Sequence, residues 1–160
     1  MNKTILTTLL VGLIGLSSFN KAPLNYEQIA FDYFVSHILS TDFKNLSAIQ
    51  FKGQTETSFS TLGNYKFCLK PEEKLQSLIK NVANGPSLAS RSINSNEAKN
   101  VTIIKFEANS NAPKLFIYHS VRVADNFYVF LSIQKPNERL YKYVVELNVE
   151  GEILRNCVMK

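Results

Sequence analysis

The stretch "VVELNVEGEILRNC", Val144–Cys157, alternates apolar and polar residues on both sides of Glu150-Gly151. Alternation of this kind marks half-buried strands, and a glycine at the turn supplies the positive φ that a two-residue hairpin loop requires. The stretch therefore reads as a β-hairpin with Glu150-Gly151 as its loop. That register sets Leu147 opposite Leu154, Glu146 opposite Arg155 as a cross-strand ion pair, and Cys157 opposite Val144. Antiparallel sheet is the framework expected for this part of the chain.

Upstream of the hairpin the same texture continues. Strands are expected at Val101–Glu107, Lys114–Val123, Phe127–Gln134, Leu140–Val149 and Glu152–Val158, separated by the turn-forming runs "ANSNAP", "ADN" and "KPNE". Within "KLFIYHSVRV", Leu115, Ile117, His119, Val121 and Val123 alternate onto one face. Shorter strands fit "AIQFKGQTETSF" (48–59) and "NYKFCL" (64–69).

Two segments change period from two to 3.6. After Asn25, a natural N-cap with Gln28 placed for a capping box, Tyr26, Ile29, Ala30, Tyr33, Phe34, His37 and Thr41 share one helical stripe, with Phe31, Val35 and Leu39 beside it. "KPEEKLQSLIKNVANG" (70–85) is a second helix: Pro71 suits its first turn, Leu75, Leu78, Ile79 and Val82 its stripe, and Asn84-Gly85 its stop. The Ser- and Asn-rich run 84–100 lacks a period. A connector of that length is either mobile or functional, and a lid over a site would use its Leu88 and Arg91.

The fold class is α+β: an antiparallel sheet of four to six strands, ending in a C-terminal meander, with two helices packed on one face. A long helix, a short β segment, a second helix and a terminal antiparallel meander, over about residues 24–160, resemble the cystatin-like/NTF2-like superfamily. Many exported bacterial members of it are small domains of unassigned function. Enzymes of that superfamily commonly hold an Asp–His pair in the cone between helix and sheet, and no carboxylate here matches that pair. The cystatin loop QxVxG is not matched either, since "QFKGQ" (50–54) has different spacing. The resemblance therefore implies an architecture and carries over no functional residue.

The first residues read as a secretory signal peptide: Lys3, an apolar run from Ile5 to Leu16, then Ser17 and Ser18. That run is well short of the ~20 residues needed to span a bilayer. Residues 1–18 are expected to be cleaved, leaving residues 24–160 as one α+β domain with no integral membrane segment. The chain is expected in the periplasm or outside the cell. Its Asn-, Lys- and Ile-rich composition suits a bacterial protein. The two cysteines, Cys68 and Cys157, then read as a disulfide. The formal charge of +5 comes from dispersed side chains without a basic block, so no nucleic-acid partner is expected.

Chemistry is sparse. The chain has no GxSxG, SxxK, GxxxxGK[ST] or GxGxxG motif and no HxH, HxxxH or HExxH pair, so neither a cofactor nor a metal is expected. The two histidines, His37 and His119, are the only candidates for acid–base catalysis. Asp32 and Asp42 flank His37 in sequence but stand five residues away, too far around a helix to orient it. If the helix lays its tyrosine stripe on the His119 face of the sheet, Tyr26, Tyr33, His37 and His119 would line an apolar pocket. A histidine on an apolar face is more often a core residue held by a hydroxyl or carbonyl. The residues thus favour a non-catalytic binding or interaction module, for a small ligand or a protein partner. The alternative is an enzyme or small-ligand-binding protein using His37 and His119 in that pocket. An uncovered Val101–Glu107 edge would be a place for another chain to pair.

Overall fold

The structure is a computed structural model that describes residues 23–57, 89–96, 101–107 and 110–159. The expected signal peptide, the expected strand 64–69, the expected second helix, Cys68 and Leu88 lie outside the described residues. Within them one continuous helix runs from Tyr26 to Asp42: α1 (Tyr26–Tyr33), a π-helical segment (Phe34–Ile38) and α2 (Leu39–Asp42). Seven strands follow: β1 (Ala48–Gln50), β2 (Thr102–Ile104), β3 (Lys114–Ile117), β4 (Val121–Val123), β5 (Asn126–Gln134), β6 (Leu140–Leu147) and β7 (Ile153–Met159). The class is α+β, with two corrections. The sheet has seven strands rather than four to six, and it is mixed. β1 lies parallel to both β2 and β3, while β3, β5, β6 and β7 pair antiparallel in that order.

The helix starts where Asn25 predicts, its Oδ1 accepting the Gln28 N–H at 3.0 Å. Gln28 does not close a capping box. Its amide pairs like a short strand with Asn94, accepting from the backbone N–H at 2.7 Å and donating to the carbonyl at 2.9 Å. Farther along, the hydroxyls of Ser36 and Ser40 bond the carbonyls of Asp32 and Ser36, four residues back. Such back-bonding competes with the helical amides and loosens the turn, and here the helix widens to π. The widening changes which side is buried. A 3.6-residue period drifts His37 and Thr41 onto the stripe of Ala30 and Phe34. The wider turn instead keeps Ile38 and Leu39 beneath Phe34 and Val35, and leaves His37 and Thr41 exposed.

The buried side of the helix packs on Ile49, Leu115, Ile117, Val129, Leu131, Ile133, Tyr143, Val145 and Leu147. Phe31 stacks on Phe51, and Phe34 meets Tyr143 edge-on at 5.1 Å. β5 is buried on both of its faces from Tyr128 to Ile133.

Both irregularities of the sheet fall in strands that read as continuous. The expected strand Lys114–Val123 breaks into β3 and β4. Ile117 pairs with Leu131 and Val121 with Tyr128, so Tyr118, His119 and Ser120 face only Phe130 and Val129. One extra residue is a β-bulge. It inverts the alternation, so that Ile117 shares a face with Leu131 and Val121 shares the opposite face with Tyr128. In the terminal hairpin Glu146 faces Arg155 and Val144 faces Cys157, as the alternation predicts, but Leu147 faces Ile153. Leu154 is left over on the bulge and exposed. The loop is longer than two residues because the Asn148 side chain organises it, its Oδ1 accepting the N–H groups of Glu150 and Glu152. Among the described residues no helix is long and apolar enough to cross a membrane.

Candidate functional site

A carboxylate on the apolar stripe of a helix is the least expected residue in this core. Glu27, in the first turn of α1, is fully buried. The bulge in the sheet is what satisfies it. Because two residues oppose one there, His119 and Ser120 both turn toward the helix. Ser120 donates its N–H and its hydroxyl to Glu27 Oε1 at 2.8 and 2.9 Å. Nη1 of Arg91 straddles the carboxylate, 3.3 Å from Oε1 and 3.1 Å from Oε2.

Arg91 is held in turn by Thr55. The Arg91 N–H donates to Thr55 Oγ1 at 2.8 Å, and the Thr55 N–H donates to the Arg91 carbonyl at 2.9 Å. Thr55 Oγ1 also lies 3.2 Å from His119 Nε2, and His119 Nδ1 lies 3.8 Å from Glu27 Oε1. Four segments distant in sequence thus close on one point: the helix start, the chain after β1, the 91–94 segment and the bulge.

The electrostatics assign the protons. Burial by itself would raise the Glu27 carboxyl. The N–H groups of Ser120 and of Glu27 itself, the Ser120 hydroxyl and the Arg91 guanidinium more than offset it, and hold the group below the ordinary carboxylate value. Burial pushes His119 below the ordinary imidazole value; the Glu27 carboxylate opposes that and Arg91 reinforces it. The pair at neutral pH is therefore a carboxylate and a neutral imidazole. Of the two tautomers, only the one with its proton on Nδ1 presents N–H rather than a lone pair to Glu27 Oε1. In that tautomer the Thr55 hydroxyl donates to Nε2. Nδ1 makes no hydrogen bond among the described residues.

Carboxylate, imidazole and hydroxyl in line are the parts of a nucleophile relay. Here they are shut away: Glu27, His119 and Thr55 are 0, 1 and 2 % exposed. The hydroxyl proton goes to His119 and its oxygen takes the Arg91 N–H. Of the groups that hold Glu27, the Arg91 side chain reaches solvent, at 54 % exposure, and Ser120 is half-buried. The arrangement does what a buried ion pair does well, which is to fix one geometry among several elements.

The four residues expected around a pocket occupy three separate settings. Tyr33 and His37 stack on each other with ring centroids 4.7 Å apart, and His37 is exposed. Ser36 spends its proton on the Asp32 carbonyl at 2.6 Å and accepts from His37 Nδ1 at 2.7 Å. Tyr26 stacks on Phe127 and donates to the Val149 carbonyl at 2.9 Å, tying the helix start to the terminal hairpin. His119 belongs to the Glu27 network. Of the two expected lid residues, Arg91 forms part of that network. Sequence reading missed Glu27, Thr55 and Ser120. A signal existed for Glu27, which stands three and four residues before Ala30 and Phe31 on the buried side of the helix.

Among the described residues no cluster of His, Cys, Asp and Glu is arranged to hold a metal ion. Compared with known proteins, the chain matches no family model, no curated protein and no solved structure.

Proposed function

We propose that this chain is an exported, non-catalytic binding or interaction domain, held by a Cys68–Cys157 disulfide. The observation that carries the reading is the closure of the Glu27–His119–Thr55 network. The one place where an acid, a base and a hydroxyl converge among the described residues has no exposed reacting atom, and its bonds serve to join elements. The leader-like first residues support export, and the position of Cys157 opposite Val144, outside the helix-packed core, suits a bridge.

Chemical modification of the folded protein with diethyl pyrocarbonate tests the non-catalytic reading. Exposed His37 serves as an internal control. The expected result is carbethoxylation of His37 with His119 untouched until denaturant is added. Reaction of His119 in the native protein at a rate near that of His37 would mean an accessible imidazole beside a carboxylate, and would restore the enzyme alternative.

A further inference from the structure

His119 stands beside both of the groups that hold Arg91. Glu27 binds the Arg91 guanidinium, and Glu27 Oε1 lies 3.8 Å from His119 Nδ1. Thr55 Oγ1 accepts the Arg91 N–H at 2.8 Å and lies 3.2 Å from His119 Nε2. A change of charge on the ring therefore reaches Arg91 twice, through its side chain and through its backbone.

In the neutral ring Nδ1 carries the proton and Nε2 accepts from Thr55, so a proton taken up in acid lands on Nε2. The N–H so formed points at the Thr55 oxygen, which must turn its own proton away. That oxygen already accepts from Arg91, and no other group among the described residues stands ready to take the hydroxyl proton. The proton is then buried without an acceptor until the chain at Arg91 moves off and admits water. On the other side of the ring, Nδ1–H makes no hydrogen bond while the ring is neutral. Once the ring is charged, it is drawn onto Glu27. Two cations then compete for one buried carboxylate, and only the Arg91 side chain, 54 % exposed, is already open to water.

The other charged groups near the ring do not interfere. Glu56, next to Thr55, is engaged by Lys52 at 2.9 Å, and Val129 and Phe130, opposite the bulge on β5, carry no charge. Burial and Arg91 both resist the charging of His119, while Glu27 favours it, which places the event in acid. The chain also has a natural hinge. Residues 89–92 are exposed, whereas Ile93 is buried. The Ile93 N–H donates to the Gly53 carbonyl at 2.8 Å, and Asn94 is paired twice with Gln28. None of these anchoring groups titrates.

We propose that Arg91 is the moving part of an acid switch: a proton on His119 puts the ring in place of Arg91 on Glu27, and residues 89–92 come away as far as the anchor at Ile93. The released guanidinium becomes a free surface cation. The switch needs neither ligand nor partner, so it stands or falls apart from the binding reading.

The test is amide hydrogen exchange by NMR on the folded protein, followed downward from pH 7 beside the ring shifts of His119. As the ring charges, protection of the Arg91 amide should fall roughly three- to tenfold, the size of one lost hydrogen bond, while that of Ile93 is kept. In His119→Gln, which stays neutral, Arg91 should keep its protection until Glu27 itself takes a proton. Arg91→Ala, a change at an exposed side chain, should raise the pH at which His119 titrates, because the competing cation is gone. Constant protection at Arg91 while His119 charges, joint loss at Arg91 and Ile93, global unfolding before His119 charges, the same early loss in His119→Gln, or an unmoved titration in Arg91→Ala would each overturn the switch.

Discussion

His119 Nδ1 stands 3.8 Å from Glu27 Oε1, with both side chains closed to solvent. The distance suits an ion pair but exceeds a hydrogen bond. At neutral pH the neutral His119 ring thus faces the Glu27 charge without sharing a proton, and the protonation of each group is coupled to folding.

Acid should destabilise this protein through both groups. His119 is held below the imidazole value of 6.5, so in falling pH the unfolded chain takes the proton first. The stability it contributes is complete above pH 6.5 and is lost as pH falls toward the folded value. Glu27, held below 4.5, adds a second loss as pH drops below 4.5 toward its own folded value. Denaturant unfolding at a series of pH values should show both. Nitrogen NMR at neutral pH should show His119 neutral with its proton on Nδ1. A charged His119 at neutral pH would contradict the network.

Glu27→Gln keeps the shape and removes the charge. It should cost about 1.5–3 kcal/mol, the range for hydrogen bonds to a charged group. The acid loss assigned to Glu27 should vanish with it. Unfolding of the variant at pH 7 and at pH 4 checks both statements. An unchanged stability at pH 7 would mean that the carboxylate is not bound as described.

Tyr143 offers the opposite pH dependence. Burial, then the charge of Asp42 and the 3.2 Å bond to its Oδ2, raise the phenol above its ordinary value of 10.0. The unfolded chain releases this proton first, so the stability it contributes is complete below pH 10 and falls as pH rises above it. Tyr143→Phe should flatten that alkaline slope. It should cost only about 0.5–1.5 kcal/mol at pH 7, since Asp42 is exposed and is not left buried.

Gly151→Ala tests the seat of the terminal hairpin on the helix start. Gly151 has φ of 84°, and an added Cβ would stand 2.8 Å from Ile29 Cδ1. The left-handed backbone alone costs about 1–2 kcal/mol for alanine, and the contact with Ile29 adds to it. Equilibrium unfolding should show at least that loss. A neutral effect would mean that the hairpin does not rest on Ile29.

Local sequence was sufficient where local physics decides. Asn25 caps a helix because its side chain reaches the next free N–H. Val144–Leu147 and Arg155–Cys157 alternate because a sheet separates two environments at every residue, and so the pairing of Glu146 with Arg155 was legible. Three features were settled only by tertiary structure. The π segment exposes His37, and along it the three hydroxyls of Ser36, Ser40 and Thr41 draw on the helix carbonyls. The bulge at Tyr118–Ser120 inverts Val121 and Val123 because Glu27 needs donors that a regular strand cannot turn toward it. The parallel placement of β1 between β2 and β3 joins segments more than fifty residues apart. No spacing rule encodes such neighbours. Glu27, Thr55, Arg91, His119 and Ser120 each look ordinary in their own stretch of sequence. Their charges and hydrogen bonds become one network only when the fold removes the water between them.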